Sequence, residues 1–473
     1  MATDLVEKLE KIVSPQNVVP EAQARRDYAG DQYWLSIAAQ GNGQPLSRPD
    51  VAVKPTSVEQ VAEIVKLANQ LHVPITPWGG GSGVQGAANA DQGGIVMDMR
   101  LMNHVRRVNE QSLTCVAETG VVCRELEAEL NTRGLSFTHY PASTEWATIG
   151  GSIAARGSGV LSTKYGKIED HVLSIEFVTP TGEIVHTPAV PRHASGPELT
   201  QLLVGSEGTL GVITAATLKL HLLPKKRVFG VFGFANLSDG IEAGRQIMVS
   251  GLKPPVMRLY DPDAARHSLS RAVEMELSGP TMVLMFDGEY PELVELEASL
   301  GFDICRDLNG QKLSASIGET WWDKRYVFYY PPYSPELPSI WGTVDVVADY
   351  EHIEAVYYAT TQAMRDAAPS EFNMSLTTHL SHWYEWGSMV YARMKIPAGP
   401  ANLEEAKALH DKVFYAGVEA AMQAGAVLND HHGVGMRLAP YMEAQFGAGM
   451  DALRHIKQAL DPNNILCPGK LDL

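Results

Sequence analysis

Apolar residues recur at Val58, Val61, Ile64, Val65 and Ala68, the 3.6-residue stripe of an amphipathic helix, and Ser57 and Gln60 stand three apart as in a capping box. The pattern predicts a helix over 57–71. The runs VPITP, IVMDM and LTCVAE that follow are short, rich in β-formers and bounded by turn residues, so strands follow the helix. Farther on, HVLSIEFVTPTGEIVHT alternates around Pro180-Thr181-Gly182, a hairpin turn, and GTLGVITAATLKL reads as another strand. The chain to about Leu223 is therefore α+β. After Pro224 the pattern restarts with VFGVFGF, a helix near 238–250 and the strand TMVLMFDGE. An irregular stretch rich in Trp, Tyr and Pro covers 320–341, and helices are expected at 402–424 and 451–460.

Length and composition narrow the class. At 473 residues the chain has room for two or three domains, and 45% hydrophobic with 20% charged residues is ordinary globular composition. The 38 Lys and Arg against 55 Asp and Glu leave a net charge of −17, which offers no general attraction to nucleic acid or anionic lipid. Cys115, Cys123, Cys305 and Cys467 form no CxxC pair or metal-type spacing, so a reduced, cytoplasmic setting is expected, with Cys115 and Cys123 as buried fillers. No apolar run reaches the ~20 residues of a membrane span, and the start MATDLVEKLEKIV lacks the basic region of an export signal.

Three glycine-rich stretches carry the first candidate chemistry. Gly79-Gly80-Gly81-Ser82-Gly83-Val84-Gln85-Gly86 contains G-x-G-x-x-G, yet neither the helix nor the acidic residue of a Rossmann fingerprint follows it. An anion held there would be gripped by main-chain N–H groups of a wrapping loop, although a bare glycine cluster also serves as a tight turn. The stretches from Pro141 to Gly159 and from Gly205 to Thr214 add small hydroxyl residues and Arg156, which together suggest a large, polar, polyanionic ligand.

The order of Pro55-Thr56-Ser57, the loop after VPITP, Pro141 to Gly159 with Tyr165-Gly166, Gly205 to Thr214 and the terminal Asp461-Pro462-Asn463 with Pro468-Gly469-Lys470 resembles the vanillyl-alcohol-oxidase, or PCMH, type of FAD flavoprotein. The resemblance implies an α+β architecture: a PCMH-type FAD-binding domain of two subdomains over 1–223, an α+β substrate (cap) domain over 224–425, and a segment, 426–473, returning to the FAD domain. FAD would be lined by Trp78, Gly79, Gly80, Gly81, Ser82, Gly83, Val84, Pro141, Ala142, Ser143, Thr144, Thr148, Gly150, Gly151, Ser152, Arg156, Ser158, Gly159, Glu207, Gly211, Val212, Ile213 and Lys470. Some members bind flavin covalently through a histidine of the first loop. Trp78 to Gly86 contains none, so non-covalent FAD is expected.

The second half offers Thr378-His379-Leu380-Ser381-His382-Trp383-Tyr384 and Asn429-Asp430-His431-His432-Gly433. A neutral imidazole can take the hydroxyl proton of an alcohol while hydride passes to flavin; paired histidines also serve as metal ligands or as a satisfied polar turn. Two branches of the family resemble this region. In the D-2-hydroxy-acid dehydrogenase branch two histidines and a glutamate hold a divalent metal. Here Tyr391 stands where the second histidine would lie and His431 falls on the glutamate, so no metal ligand is assigned, although Asp430 could substitute. In the alkylglycerone-phosphate synthase branch a histidine cluster and a tyrosine act as acid/base groups, which implies roles for His379, His431, His432 and Tyr391. Asp430 replaces the first of that branch's three histidines and is expected to orient His431 and raise its basicity. Arg258 and Arg393 are candidates to lower the Tyr391 pKa or to anchor an anion. The rings of Trp321, Trp322, Tyr326, Phe328, Tyr329, Tyr330, Trp383, Tyr384 and Trp386 read as core, with Pro331, Pro332 and Pro335 able to shape a pocket beside them.

The resulting expectation is an FAD-dependent dehydrogenase or oxidase acting on a small-molecule CH–OH substrate, a hydroxy acid or phenolic compound. The electron acceptor is unspecified, a homodimer is open, and neither nucleic acid nor a membrane span is involved. The rival is a flavin-dependent transferase of the alkylglycerone-phosphate synthase kind without net redox, and a third reading is flavin binding without catalysis.

Overall fold

The computed structural model describes residues 2–190, 192–326 and 336–473. Phe328, Tyr329, Tyr330, Pro331, Pro332 and Pro335 lie outside them.

The predicted first helix runs Val58–Leu71, with the Ser57 side chain accepting from the Gln60 backbone N–H and His72 closing it in the left-handed region. The expected capping box is only half made, because the Gln60 side chain accepts from Thr56 N–H at 2.8 Å and not from Ser57. This helix covers a four-stranded sheet in the order Val18–Pro20, Val51–Val53, Ile95–Asp98, Ile75–Trp78, whose last three strands are parallel. A five-stranded antiparallel sheet follows in the order Val105–Asn109, Thr114–Glu118, Val212–Lys219, Val172–Val178, Ile184–His186. Its last pair is the expected hairpin, with Gly182 at φ +85 in the turn.

The third sheet has seven strands, all antiparallel, in the order Gln311–Lys312, Lys226–Gly233, Thr281–Gly288, Val256–Tyr260, Ser375–Trp383, Gly387–Ile396, Ile340–Asp349. Directly paired residues share a face of a sheet. One row therefore reads Phe232, Met282, Leu259, Leu380, Val390, Val346, all fully buried against the helices Leu237–Val249, Pro291–Asp307, Ile353–Ala367 and Leu403–Gln423. The neighbouring row, on the opposite face, reads Tyr260, His379, Tyr391, Asp345. The period of two along these strands thus separates a packed core from a polar face.

The first two of the three glycine stretches differ in form. The first, after Trp78, is irregular to Gly94. Pro141–Gly159 contains a helix, Ile149–Ala154, whose N-cap Thr148 accepts from Gly151 N–H. The C-terminal segment crosses back to the first half. Ile75 pairs in parallel with Leu466, and buried Lys457 donates to the Thr209 and Leu466 carbonyls and to Asp461. Among the described residues no helix is long and apolar enough to cross a membrane.

Candidate active site

A cavity of about 1370 Å³ lies between the glycine stretches and the polar face of the seven-stranded sheet. On one side its wall is main chain. A Cβ on Gly80 would come 2.0 Å from the Trp146 carbonyl oxygen, and one on Gly79 would come 2.3 Å from Thr148 Oγ1. The first two stretches therefore touch through bare backbone, which no larger residue permits. Ser158 Oγ and both side-chain polar atoms of Gln85 are buried without a protein partner and belong to residues that line the cavity. Buried polar groups of this kind are nearly always satisfied, so the wall is built for a polar ligand.

On the opposite side the sheet and the turn after Val427 present imidazoles. His382 Nδ1 and His431 Nδ1 lie 2.8 and 3.0 Å from Asp430 Oδ2, and His432 Nδ1 lies 2.8 Å from Asp345 Oδ1. A carboxylate only accepts, so each Nδ1 carries the hydrogen, and in the neutral form of each ring Nε2 keeps its lone pair. All three histidines line the cavity. Tyr384 Oη donates to Asp430 Oδ1 at 2.7 Å, and Lys167 Nζ donates to the Asp430 carbonyl. Tyr391 stacks on His379, ring centroids 4.8 Å apart, and lies 6.0 and 5.7 Å from the His431 and His432 rings.

Burial decides the charge states. His431 is pushed down to about 4, by desolvation first and then by the charge of His432, against the opposing pull of Asp430. The expected rise in His431 basicity is thus reversed, because loss of hydration and the charges of His432 and His382 outweigh the pull of Asp430 and Asp345. Desolvation, followed by the charges of Arg258, His382 and Arg393, holds His379 well below its ordinary value. Asp430 is held well below the carboxylate range by Lys167 and the imidazoles despite its burial. Glu207, the acidic residue of the wall, rises to about 7 through burial, although it accepts from Val434 and Gly435 N–H.

The cavity is also strongly cationic, in a protein whose net charge is −17: Arg258, Arg271, Lys324, Arg325, Arg393 and Lys395 line it. Arg258 lies over Trp321 at 5.6 Å, Arg325 lies over Trp322 at 3.8 Å, and Arg393 reaches Ser268 Oγ at 3.4 Å.

Every residue singled out for acid/base or anion work, Tyr391, His379, His431, His432 and Arg258, lines this one cavity. Of the expected cofactor residues, Thr144, Arg156 and Lys470 do not. Thr144 is buried in a turn closed onto the Pro141 carbonyl. The Arg156 side chain is half exposed and runs toward Glu169, and buried Lys470 is paired with Asp91. Trp386, expected in the core, is exposed. Sequence reasoning passed over Asp345, an isolated acid in the strand Ile340–Asp349, and left His382 without a role. It also missed Arg271, Lys324, Arg325 and Lys395. Two three-residue groups, Asp345 with His431 and His432 and Asp430 with His382 and His431, have ligand atoms within 4.8 Å of one another. Hydrogen bonds between imidazole and carboxylate account for both, and no metal ligand is assigned.

The fold and this wall are those of a flavoprotein, and comparison with known proteins agrees. Residues 49–188 match the FAD binding domain and residues 223–471 match the C-terminal domain of FAD-linked oxidases. The chain belongs to the FAD-linked oxidase family and binds FAD. It is 28% identical to an alkyldihydroxyacetonephosphate synthase of Dictyostelium discoideum, over 99% of this chain and 80% of that one. It is 29% identical to a mitochondrial D-lactate dehydrogenase (cytochrome) of Arabidopsis thaliana, over 98% and 80%. An alkyldihydroxyacetonephosphate synthase structure superposes with a TM-score of 0.80 at 26% identity, covering 98% of this chain and 84% of that one. A p-cresol methylhydroxylase structure with substrate bound gives 0.79 at 17%, covering 100% and 96%, and shares the fold.

Proposed function

We propose that the protein is an FAD-dependent oxidoreductase that oxidises the CH–OH group of a small anionic alcohol, a hydroxy acid or a phenolate-type compound. The observation that carries this reading is the set of imidazoles whose Nδ1 hydrogens are fixed on Asp430 and Asp345, leaving Nε2 lone pairs at a cavity ringed by cations. Such an edge is an acceptor for a hydroxyl proton. FAD, when bound on the glycine wall, supplies the hydride acceptor. His431 or His432 takes the substrate proton, Tyr391 and His379 hold its oxygen, and Arg258 with Arg393 neutralises its anionic group. The FAD-binding part is assigned to 1–223 and 426–473 and the substrate part to 224–425. Four buried, unpaired cysteines suit a reduced compartment such as the cytoplasm.

The test is anaerobic mixing of the FAD-loaded protein with D-2-hydroxy acids and benzylic alcohols. Bleaching of the oxidised-flavin absorbance by at least one supports the reading, and no bleaching by any compound opposes it. A second reading is favoured by the cations Arg271, Lys324 and Arg325, which could grip a phosphate: a transferase like the alkyldihydroxyacetonephosphate synthases. Exchange of an acyl chain for a fatty alcohol without any electron acceptor would favour it.

A further inference from the structure

Three more histidines lie behind the site, and the chemistry above does not use them. His139 and His171 are buried to within 1% of full enclosure, and His221 is half-buried on the short strand His221–Leu222, where Leu222 is exposed. Their rings follow one another at 6.3 Å (His139 to His171) and 5.8 Å (His171 to His221). Both ring nitrogens of His139, both of His171 and Nε2 of His221 are buried with no side-chain partner, and the Lys219 main chain acts on His171 as a backbone acceptor. Five such nitrogens in a row are not a packed apolar core. Orphaned buried polar atoms are ordinarily met by ordered water, and the ring separations exceed a direct bond while remaining within the span of one bridging water.

The column has two ends. At the inner end His382, bonded to Asp430, is near enough for its charge to act on His139. At the outer end His221 packs on Tyr165, 4.7 Å between ring centroids, beside the exposed strand end. The charged groups along it are Lys219, which acts on His171 and His221, and Lys164, which acts on His221 and is itself bonded to Asp287. Tyr165 Oη also donates to Asp287, so no carboxylate is left bonded to any of the three rings among the described residues. The rings form no set that could hold a cation. Burial keeps His139 down at about 3 and His221 at about 4, so both are neutral at pH 7 and able to accept at one nitrogen while releasing from the other.

We propose that His139, His171 and His221, joined by single waters, form the exit route for the proton that substrate oxidation delivers to the Asp430 cluster. The inference rests on the oxidoreductase reading. In the balanced step the alcohol carbon gives its hydride to the flavin, the alcohol oxygen gives its proton to an imidazole, and the carbonyl forms. With substrate and flavin filling the cavity, that proton leaves through the column to bulk water, one per turnover.

Two measurements test this. A high-resolution crystal structure of the FAD-loaded protein should show a water within hydrogen-bond distance of His139 and His171 and another between His171 and His221. A dry gap, or protein groups satisfying these nitrogens, overturns the route whatever the substrate is. Second, anaerobic single turnover in unbuffered solution with a pH indicator, using any panel compound that bleaches the wild type, compares proton release with flavin bleaching. The two should coincide in the wild type, and release should lag by about ten-fold or more in His171→Leu and in His171→Gln, which retains hydrogen bonding but cannot relay a proton. Coincident release in both variants, or a lag produced only by Lys167→Met, whose Nζ bonds the Asp430 carbonyl, overturns the proposal. If no compound bleaches the wild type, the oxidoreductase reading fails and the crystal structure alone judges the column.

Discussion

His382 and His431, 49 positions apart and on different elements, direct their Nδ1 atoms at the same oxygen, Asp430 Oδ2, with the rings T-shaped at 4.9 Å. One carboxylate therefore sets the tautomer of two imidazoles, and Asp345 does the same for His432. The two acids sit behind the rings, and only the imidazole edges line the cavity.

The buried imidazoles make the fold acid-sensitive. His139 and His171, together with His221, His379, His410 and His431, have lowered pKa values, those of His221, His410 and His431 near 4, in each case through desolvation first. A histidine whose folded value lies below its unfolded value of about 6.5 binds its proton more tightly when unfolded. Its share of stability is complete above that pH and is lost as the pH falls toward 4. Glu207, raised to about 7, and Asp31, raised to about 6, act oppositely, but the six rings outnumber them. The urea midpoint is expected to drop between pH 6.5 and 4, and His139→Phe is expected to flatten that drop.

Glycine 80 is expected to be indispensable for the cofactor. Its Cβ in Gly80→Ala would meet the Trp146 carbonyl oxygen, which cannot move without the second glycine stretch, whereas a Cβ on Gly83 has Asp31 Oδ2 at 3.4 Å as its nearest neighbour. Gly80→Ala should purify without flavin and bind FAD about ten-fold or more weakly, and Gly83→Ala should keep it. Fluorescence titration of apoprotein with FAD measures both.

Flavin should be extractable. The loop Trp78 to Gly86 offers no imidazole or thiol, and the four thiols are buried and pushed up to about 12 by desolvation. After acid precipitation the flavin absorbance is expected in the supernatant, and colour retained on the pellet would show a covalent link.

Anion selectivity should follow Arg258. Arg258→Met is expected to raise KM for a carboxylate-bearing alcohol about ten-fold while leaving a neutral alcohol unchanged, since a charge-assisted hydrogen bond is lost only for the former. Steady-state kinetics with a matched acid and ester pair measures the split.

Local signals in the chain were readable where one physical cause dominates. The stripe at Val58, Val61 and Ile64 with Ser57 gives the helix Val58–Leu71, and Thr181-Gly182 gives the hairpin, because each depends on neighbours a few residues away. The histidine pairs could be singled out by their chemistry. Asp345 could not, since its partner His432 is 87 positions away and the strand around it alternates like any other. The helix Ile149–Ala154 was hidden by Gly150 and Gly151, poor helix formers that close packing against Thr119 requires at Gly150. The direction of the His431 shift was misjudged because desolvation is a property of the assembled core and has no signature in local sequence.

The claim that carboxylate-held imidazoles act as the base is tested most directly by Asp430→Asn. The amide keeps the size of the side chain but can present a donor to Nδ1, freeing it of its hydrogen and placing that hydrogen on Nε2. With a compound that bleaches the wild type, stopped-flow flavin reduction should slow about 100-fold or more at unchanged FAD content. A wild-type rate in Asp430→Asn would contradict the account.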